Sequence, residues 1–408
     1  MKKKKIINDP VYGFISIPDG LVFNLIEHPY FQRLRHIKQL GLTHLVYPGS
    51  LHTRFHHALG AMYLMNMAIE TLRNKGHNIS EQEEEAVIIA ILLHDIGHGP
   101  FSHALEHTIV SNISHEDISA MLMNRLNSQF DNKLDMAISI FNDTYPRRFL
   151  HQLVSGQLDM DRLDYLNRDS FFTGVTEGVV GSDRIIKMLD IVNDQIVVEE
   201  KGVYSVEKFL IARRLMYWQV YLHKAVIAAE QLLAKILVRA RELALGGKEL
   251  FCTPALCHFL YTTITRDDFI NNPRHLEVFA QLDDTDIMSA VKVWVDCDDI
   301  VLATLCRNLL HRNLYHVDIT NEEPDPEFVN ALAKKAVTHY SISPNETAYF
   351  VFTDTILNNA YKVDDTYIRI LMKDGSVKDI TQASDNSNLT ALAKTVKKYI
   401  LCYAKPLV

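Results

Sequence analysis

Cysteine is scarce in this chain of 408 residues: Cys252, Cys257, Cys297, Cys306 and Cys402 are five, an odd number without metal-type spacing. That excludes a disulfide framework and a thiolate metal site, and predicts free thiols in a reducing cytoplasm. Long apolar runs are missing too. No stretch of about 18 apolar residues occurs, and the basic start at Lys2 to Lys5 leads into Ile6-Ile7-Asn8-Asp9-Pro10, too short for a signal peptide's apolar core. The expectation is a cytoplasmic protein with no membrane partner. Positive charge is in deficit: Lys and Arg total 42 against 50 Asp and Glu, a net charge of -8. Broad nucleic-acid binding is therefore not expected, and any anionic ligand must be held by local cations. There is no internal repeat and no low-complexity tract. With 48% apolar residues the chain can bury one large core or two modest ones.

What is present centres on residues 86–103, AVIIAILLHDIGHGPFSH, where an apolar run ends in His94-Asp95 and continues through His98 to His103. An adjacent imidazole and carboxylate suit a metal, but a lone pair of this kind is weak evidence. Further ligand types follow the same logic elsewhere: Arg54-Phe55-His56-His57 upstream, and Leu158-Asp159-Met160-Asp161-Arg162-Leu163-Asp164-Tyr165 downstream. Imidazole and carboxylate together suit hard to borderline divalent ions. Singly, each residue is more often a hydrogen-bonded core group; jointly and in this order the metal reading prevails.

His57, His94-Asp95 and Asp161 resemble the H…HD…D signature of HD-domain metallophosphohydrolases. The segments PYFQRLRHIKQLG (29–41), YPGSLHTRFHHALG (47–60), LLHDIGHGPFSH (92–103), SHEDIS (114–119) and DMDRLDYLNRD (159–169) are similar to the deoxynucleoside triphosphate triphosphohydrolases that pair a sterile alpha motif with an HD domain. No sterile-alpha-motif segment precedes them in this sequence. The resemblance implies a divalent ion (Fe, Mn, Mg or Zn) on His57, His94, Asp95 and Asp161. It implies catalytic roles for His98, His103, Glu106 and His115, with Glu106 standing where the family commonly has Asp. Phosphates would meet Arg54, Arg162 and Arg213. Gln39 and Asp169 would hold the 3′-hydroxyl, Tyr165 and Tyr221 would crowd the ribose 2′ position, and Leu40 would pack under the sugar. A regulatory GTP or dNTP site would use Lys5, Asn8, Glu27, Gln32 and Arg35, and the assembly would be a homodimer or homotetramer. The implied activity is hydrolysis of a dNTP, dGTP-like, to deoxynucleoside and triphosphate. Two rivals stay open: an HD-type nucleotidase or phosphodiesterase acting on a monophosphate, cyclic nucleotide or nucleic-acid end, and a nucleotide-sensing module with a vestigial site.

The expected fold is mainly α, an HD-domain helical fold with a smaller α+β C-terminal lobe. Its expected divisions are a catalytic part at 1–250, a helical extension at 251–330 and the α+β lobe at 331–408. Within these, 1–20 predicts a strand or hairpin, and Ser50 or Thr53 caps the helix bearing His57. Ser80 and Glu83 form a capping box before the helix that ends at His94-Asp95. Residues 195–206 predict a β-hairpin around Glu200-Lys201-Gly202, residues 206–245 one unusually long helix, and 388–403 a last helix.

Overall fold

Asp9 closes the first element of the chain. Its Oδ1 accepts the backbone N–H groups of Val11 and Tyr12 at 3.0 and 2.9 Å, a side-chain mimic of a turn that folds β1 (Lys5–Asp9) onto β2 (Gly13–Ile17). Period-two alternation buries Ile15 and Ile17 and leaves Phe14 outside. The computed structural model describes residues 5–101, 108, 113–358, 367–386, 389 and 396–407. Over these the chain is mainly α-helical, with small sheets and a smaller α+β lobe at its C-terminal end.

Three capped helices supply the frame. Thr53 and His56 form a reciprocal cap at the start of the Arg54–Asn74 helix, which gives His56 a structural role. Ser80 and Glu83 do the same for the Glu81–Leu93 helix. That helix is buried continuously from Ala86 to Leu93, because a helix apolar all round has no solvent face to offer. Asp159 caps the Met160–Thr173 helix, which stops at Gly174 with φ of 75°.

Two glycines permit the close approach of these helices. A Cβ on Gly60 would lie 2.0 Å from Asp164 Oδ1 and 2.2 Å from Arg168 Nη2, and one on Gly97 would lie 2.3 Å from the His115 carbonyl. The turn after His94 is held further by Arg33, a buried cation that donates to the carbonyls of Ile96, His98 and Leu282. Ser119, on the His115–Gln129 helix, accepts from the Gly97 N–H and donates to the His94 carbonyl.

Four expectations need correction. The stretch 206–245 is not one helix: Val203–Met216 runs into a widened π-turn, Tyr217–Tyr221, and a new helix, Lys224–Leu245, starts under a His223 cap. Apolar periodicity survives such a break, so the pattern alone does not reveal it. The hairpin lies earlier than 195–206. Strands β3 (Leu189–Val192) and β4 (Gln195–Glu199) meet at the two-residue turn Asn193-Asp194, both at positive φ, and Val203 already begins a helix. Residues Val396–Tyr403, expected as helix, are the central strand β9. It pairs on one edge with β5 (His316–Thr320) and on the other with β6 (Val351–Asn358). Ile400 to Tyr403 are buried consecutively, which erases the alternation that marks a half-exposed strand. Finally, Cys252 and Cys257 form a disulfide, so they are not free thiols; Cys297, Cys306 and Cys402 are free. The remaining strands, β7 (Arg369–Leu371) and β8 (Val377–Asp379), extend the β3-β4 hairpin into a sheet of order β3-β4-β7-β8.

Substituting Gly60→Ala should cost about 3 kcal/mol or more, because the methyl displaces a buried ionic contact as well as overpacking two helices. A thermal or denaturant midpoint equal to wild type would contradict this packing.

Candidate metal centre

Three donor atoms converge where the Arg54–Asn74, Glu81–Leu93 and Met160–Thr173 helices meet. One ligand atom each from His57, His94 and Asp161 lie within 4.8 Å of one another. His57 Nε2 is 3.4 Å from His94 Nε2 and 3.1 Å from Asp161 Oδ1. The far ring nitrogens explain why. His57 Nδ1–H donates to Asp164 Oδ2 at 2.7 Å, and His94 Nδ1–H donates to the Ile91 carbonyl at 2.6 Å. With both Nδ1 atoms committed as donors, the two Nε2 atoms face each other beside a carboxylate, and each offers a lone pair once its proton is displaced. Such a cluster demands positive charge, and two imidazoles with a carboxylate are a donor set that divalent ions accept. These residues therefore fit a metal ion.

Electrostatics point the same way. Burial opposes a proton on His57, yet its hydrogen bonds to Asp161 and Asp164 raise it to about 10. His94 is raised despite burial by the charges of Asp95 and Asp161, and Asp161 is held well below the usual carboxylate range against its burial by the two histidines. Asp95 lies on the rim. Its Oδ1 is 3.4 Å from His94 Nε2 and 3.2 Å from His98 Nε2, while Oδ2 accepts from Arg54 Nη1 at 2.6 Å.

His98 stacks on His115 with ring centroids 3.8 Å apart; burial and then the Arg54 charge push His98 down to about 3, so it is a neutral ring. Arg162 pairs with Asp159, the residue that caps its own helix, and Arg213 Nη1 reaches Gln157 Oε1 at 3.5 Å. Asp169 accepts from the Tyr221 hydroxyl at 2.7 Å and from His52 Nε2 at 2.8 Å, and the Tyr165 and Tyr221 rings meet edge on at 6.3 Å. Gln39 donates its backbone N–H to the His52 carbonyl, and Leu40 beside it is half-buried. Gln39 Oε1, His98 Nδ1, Arg162 Nε and Arg213 Nε are buried atoms without a hydrogen-bond partner among the described residues. His103 and Glu106 lie outside the described residues. Of the residues expected to bind a regulatory nucleotide, Lys5, Asn8 and Glu27 are exposed; Arg35 donates to Gln32 at 2.7 Å and lies over the Phe55 ring.

Sequence reading did not single out Asp9, His52, Asp164 and Arg168. Asp164 and Arg168 sit inside the segment 159–169, and their spacing from Asp161 marks them as helix neighbours. Their partners His57 and Asp9 are distant in sequence and leave no local signal.

Models of known families match two parts of the chain: the HD domain over residues 54–168 and the HD associated region over 180–249. A crystal structure of a phosphohydrolase from Bacteroides thetaiotaomicron superposes with a TM-score of 0.95 at 56% identity, covering 98% of this chain and 100% of that one. The uncharacterized Bacillus subtilis protein YwfO is 32% identical over 404 residues, covering 94% of this chain and 88% of its own length. The chain belongs to the HD-domain phosphohydrolases. Among HD-domain relatives, the Dictyostelium discoideum homolog of the deoxynucleoside triphosphate triphosphohydrolase SAMHD1 is 31% identical over 258 residues, 59% of this chain and 50% of that protein. The chain thus spans about half the length of that relative. No described helix is long and apolar enough to cross a membrane.

If the cluster holds a divalent ion, chelator-treated protein should melt lower and recover with about one ion per chain. An ion at 100 times its Kd adds about 2.7 kcal/mol. Asp161→Ala and His94→Ala should not respond. Melting of the wild type indifferent to both chelator and Mn2+ would contradict the assignment.

Proposed function

We propose that this HD-domain phosphohydrolase hydrolyses deoxynucleoside triphosphates to deoxynucleoside and inorganic triphosphate. The observation that carries the reading is that four of the expected site residues keep a buried polar atom without a partner among the described residues. Buried polar groups are almost always hydrogen-bonded, and here Gln39, His98, Arg162 and Arg213 each keep one atom unpaired. Two are guanidinium donors suited to phosphate, one an amide oxygen suited to a hydroxyl, and one the nitrogen of a neutral imidazole suited to accept a hydrogen bond.

The helix Met160–Thr173 supports the same reading. Asp161, Tyr165 and Asp169 recur at four-residue spacing, so they share one face over about 12 Å, the scale of a nucleotide's phosphate and sugar. In this reading Asp169, oriented by Tyr221 and His52, accepts the 3′-hydroxyl together with Gln39. Tyr165 and Tyr221 wall the 2′ position, where a ribose hydroxyl would be left crowded and unpaired. Burial raises both phenols well above their usual range, keeping them neutral.

A divalent ion bound by His57, His94 and Asp161, with Asp95 turned toward it, supplies Lewis acidity toward water and a phosphoryl oxygen. Hydrolysis at the α-phosphorus joins a water oxygen to phosphorus and breaks its bond to the 5′-oxygen, which needs a proton as it leaves. His103 is the proposed donor, supported by His115 and Glu106, while His98 contacts the phosphates. Arg54, Arg162 and Arg213 hold negative charge on the triphosphate. The relatives named deoxynucleoside triphosphate triphosphohydrolases support the substrate class. A GTP or dNTP activator and a homodimer or homotetramer belong to the same proposal.

Incubating metal-replete protein with each of four dNTPs and four NTPs, with and without GTP, should release triphosphate from dNTPs alone; pyrophosphate as the product would refute cleavage of the bond between the α-phosphorus and the 5′-oxygen. Arg213→Ala should reduce turnover of dGTP about tenfold or more and spare dGMP. Equal losses on both would favour a monophosphate substrate.

A further inference from the structure

A chain of charged groups runs from the surface hairpin to the metal centre without an exposed member. Arg168 Nη1 donates to Asp9 Oδ2 at 2.7 Å, and its Nε and Nη2 fork onto Asp164 Oδ2 and Oδ1 at 2.9 and 3.0 Å. Asp164 Oδ2 accepts in turn from His57 Nδ1 at 2.7 Å. Arg168, Asp164 and His57 are fully buried, and Asp9 is 4% exposed. Asp9 and Arg168 are 159 residues apart in sequence, and Gly60 leaves the space in which the fork meets Asp164.

Anchoring the hairpin does not require this. Ile15 and Ile17 already bury it, and two carboxylates and a guanidinium are costly to desolvate. Two carboxylates against one guanidinium also leave one negative charge over, and Asp164 sets it against the Nδ1–H of His57, whose Nε2 faces the other metal ligands. Asp9 shares the charge of Arg168, so Asp164 keeps more of its own as acceptor for His57. A stronger acceptor behind an imidazole fixes its tautomer and raises its basicity toward a metal.

We propose that Asp9 and Arg168 are positioning residues of the metal centre, through which the N-terminal hairpin sets the tautomer and aim of His57. This inference rests on the metal-centre reading. In Asp9→Asn the amide oxygen can still accept from Val11 and Tyr12, but the carboxylate charge facing Arg168 is gone. Arg168→Lys keeps the charge and loses the fork, since an ammonium cannot bridge two carboxylates in one plane.

The test is calorimetric titration of the chelator-treated full chain with Mn2+ alone, beside thermal melting of each metal-free variant. Asp9→Asn and Arg168→Lys should each weaken Mn2+ binding by about tenfold. Ile15→Ala, which loosens the hairpin core without touching the relay, should lower the melting temperature and bind Mn2+ as the wild type does. The relay is overturned if the folded Asp9→Asn or Arg168→Lys chain binds like wild type, or if Ile15→Ala weakens Mn2+ equally. Should Asp9→Asn fail to fold, Arg168→Lys decides alone. Wild type that binds no Mn2+ overturns the metal-centre reading itself, a result distinct from wild type and variants binding alike.

Discussion

Two imidazole Nε2 atoms held 3.4 Å apart beside a carboxylate are the constraint on which the rest of this molecule depends. Left to themselves the rings would turn away or take different tautomers. They are prevented because each far nitrogen is occupied, one by a buried carboxylate and one by a backbone carbonyl. The cost of holding like poles together inside a protein is acceptable only when positive charge comes between them. The fold can be understood as the apparatus that enforces this arrangement.

Enforcement comes from rigid elements. His57 lies in the first turn of a long capped helix, His94 follows a helix buried on every side, and Asp161 starts a third helix whose cap is itself fully buried. Gly60 makes room for the Asp164 and Arg168 side chains, Gly97 lets a neighbouring backbone approach, and Arg33 and Ser119 fix the turn that carries Asp95 and His98. Beyond the ligands, the π-turn at Tyr217–Tyr221 brings the Tyr221 hydroxyl to Asp169. Single-turn widenings of this kind are frequent at functional sites.

Much of this was legible in the sequence wherever the signal was local. The Ser80 and Glu83 cap, the apolar run before His94, the hairpin at the N-terminus and the helix bearing Asp161 follow from spacing within a dozen residues. The metal ligands were legible because chemistry limits which residue types can serve and because their order resembles a known family. Interactions between distant positions were not. Nothing near Asp9 announces that it meets Arg168, and nothing near Gly60 announces that it must lack a side chain. The strand Val396–Tyr403 is buried on both faces from Ile400 to Tyr403 and so hid its period. The disulfide between Cys252 and Cys257 was obscured by an argument from cysteine scarcity, which speaks to the whole chain and not to one loop.

The most direct test of the central claim is anomalous scattering from crystals of the wild-type protein grown with Mn2+, collected on both sides of the manganese absorption edge. The account predicts a single strong peak at coordination distance, about 2.0–2.3 Å, from His57 Nε2, His94 Nε2 and Asp161. A peak held by other residues, or none at these three under saturating Mn2+, would contradict it.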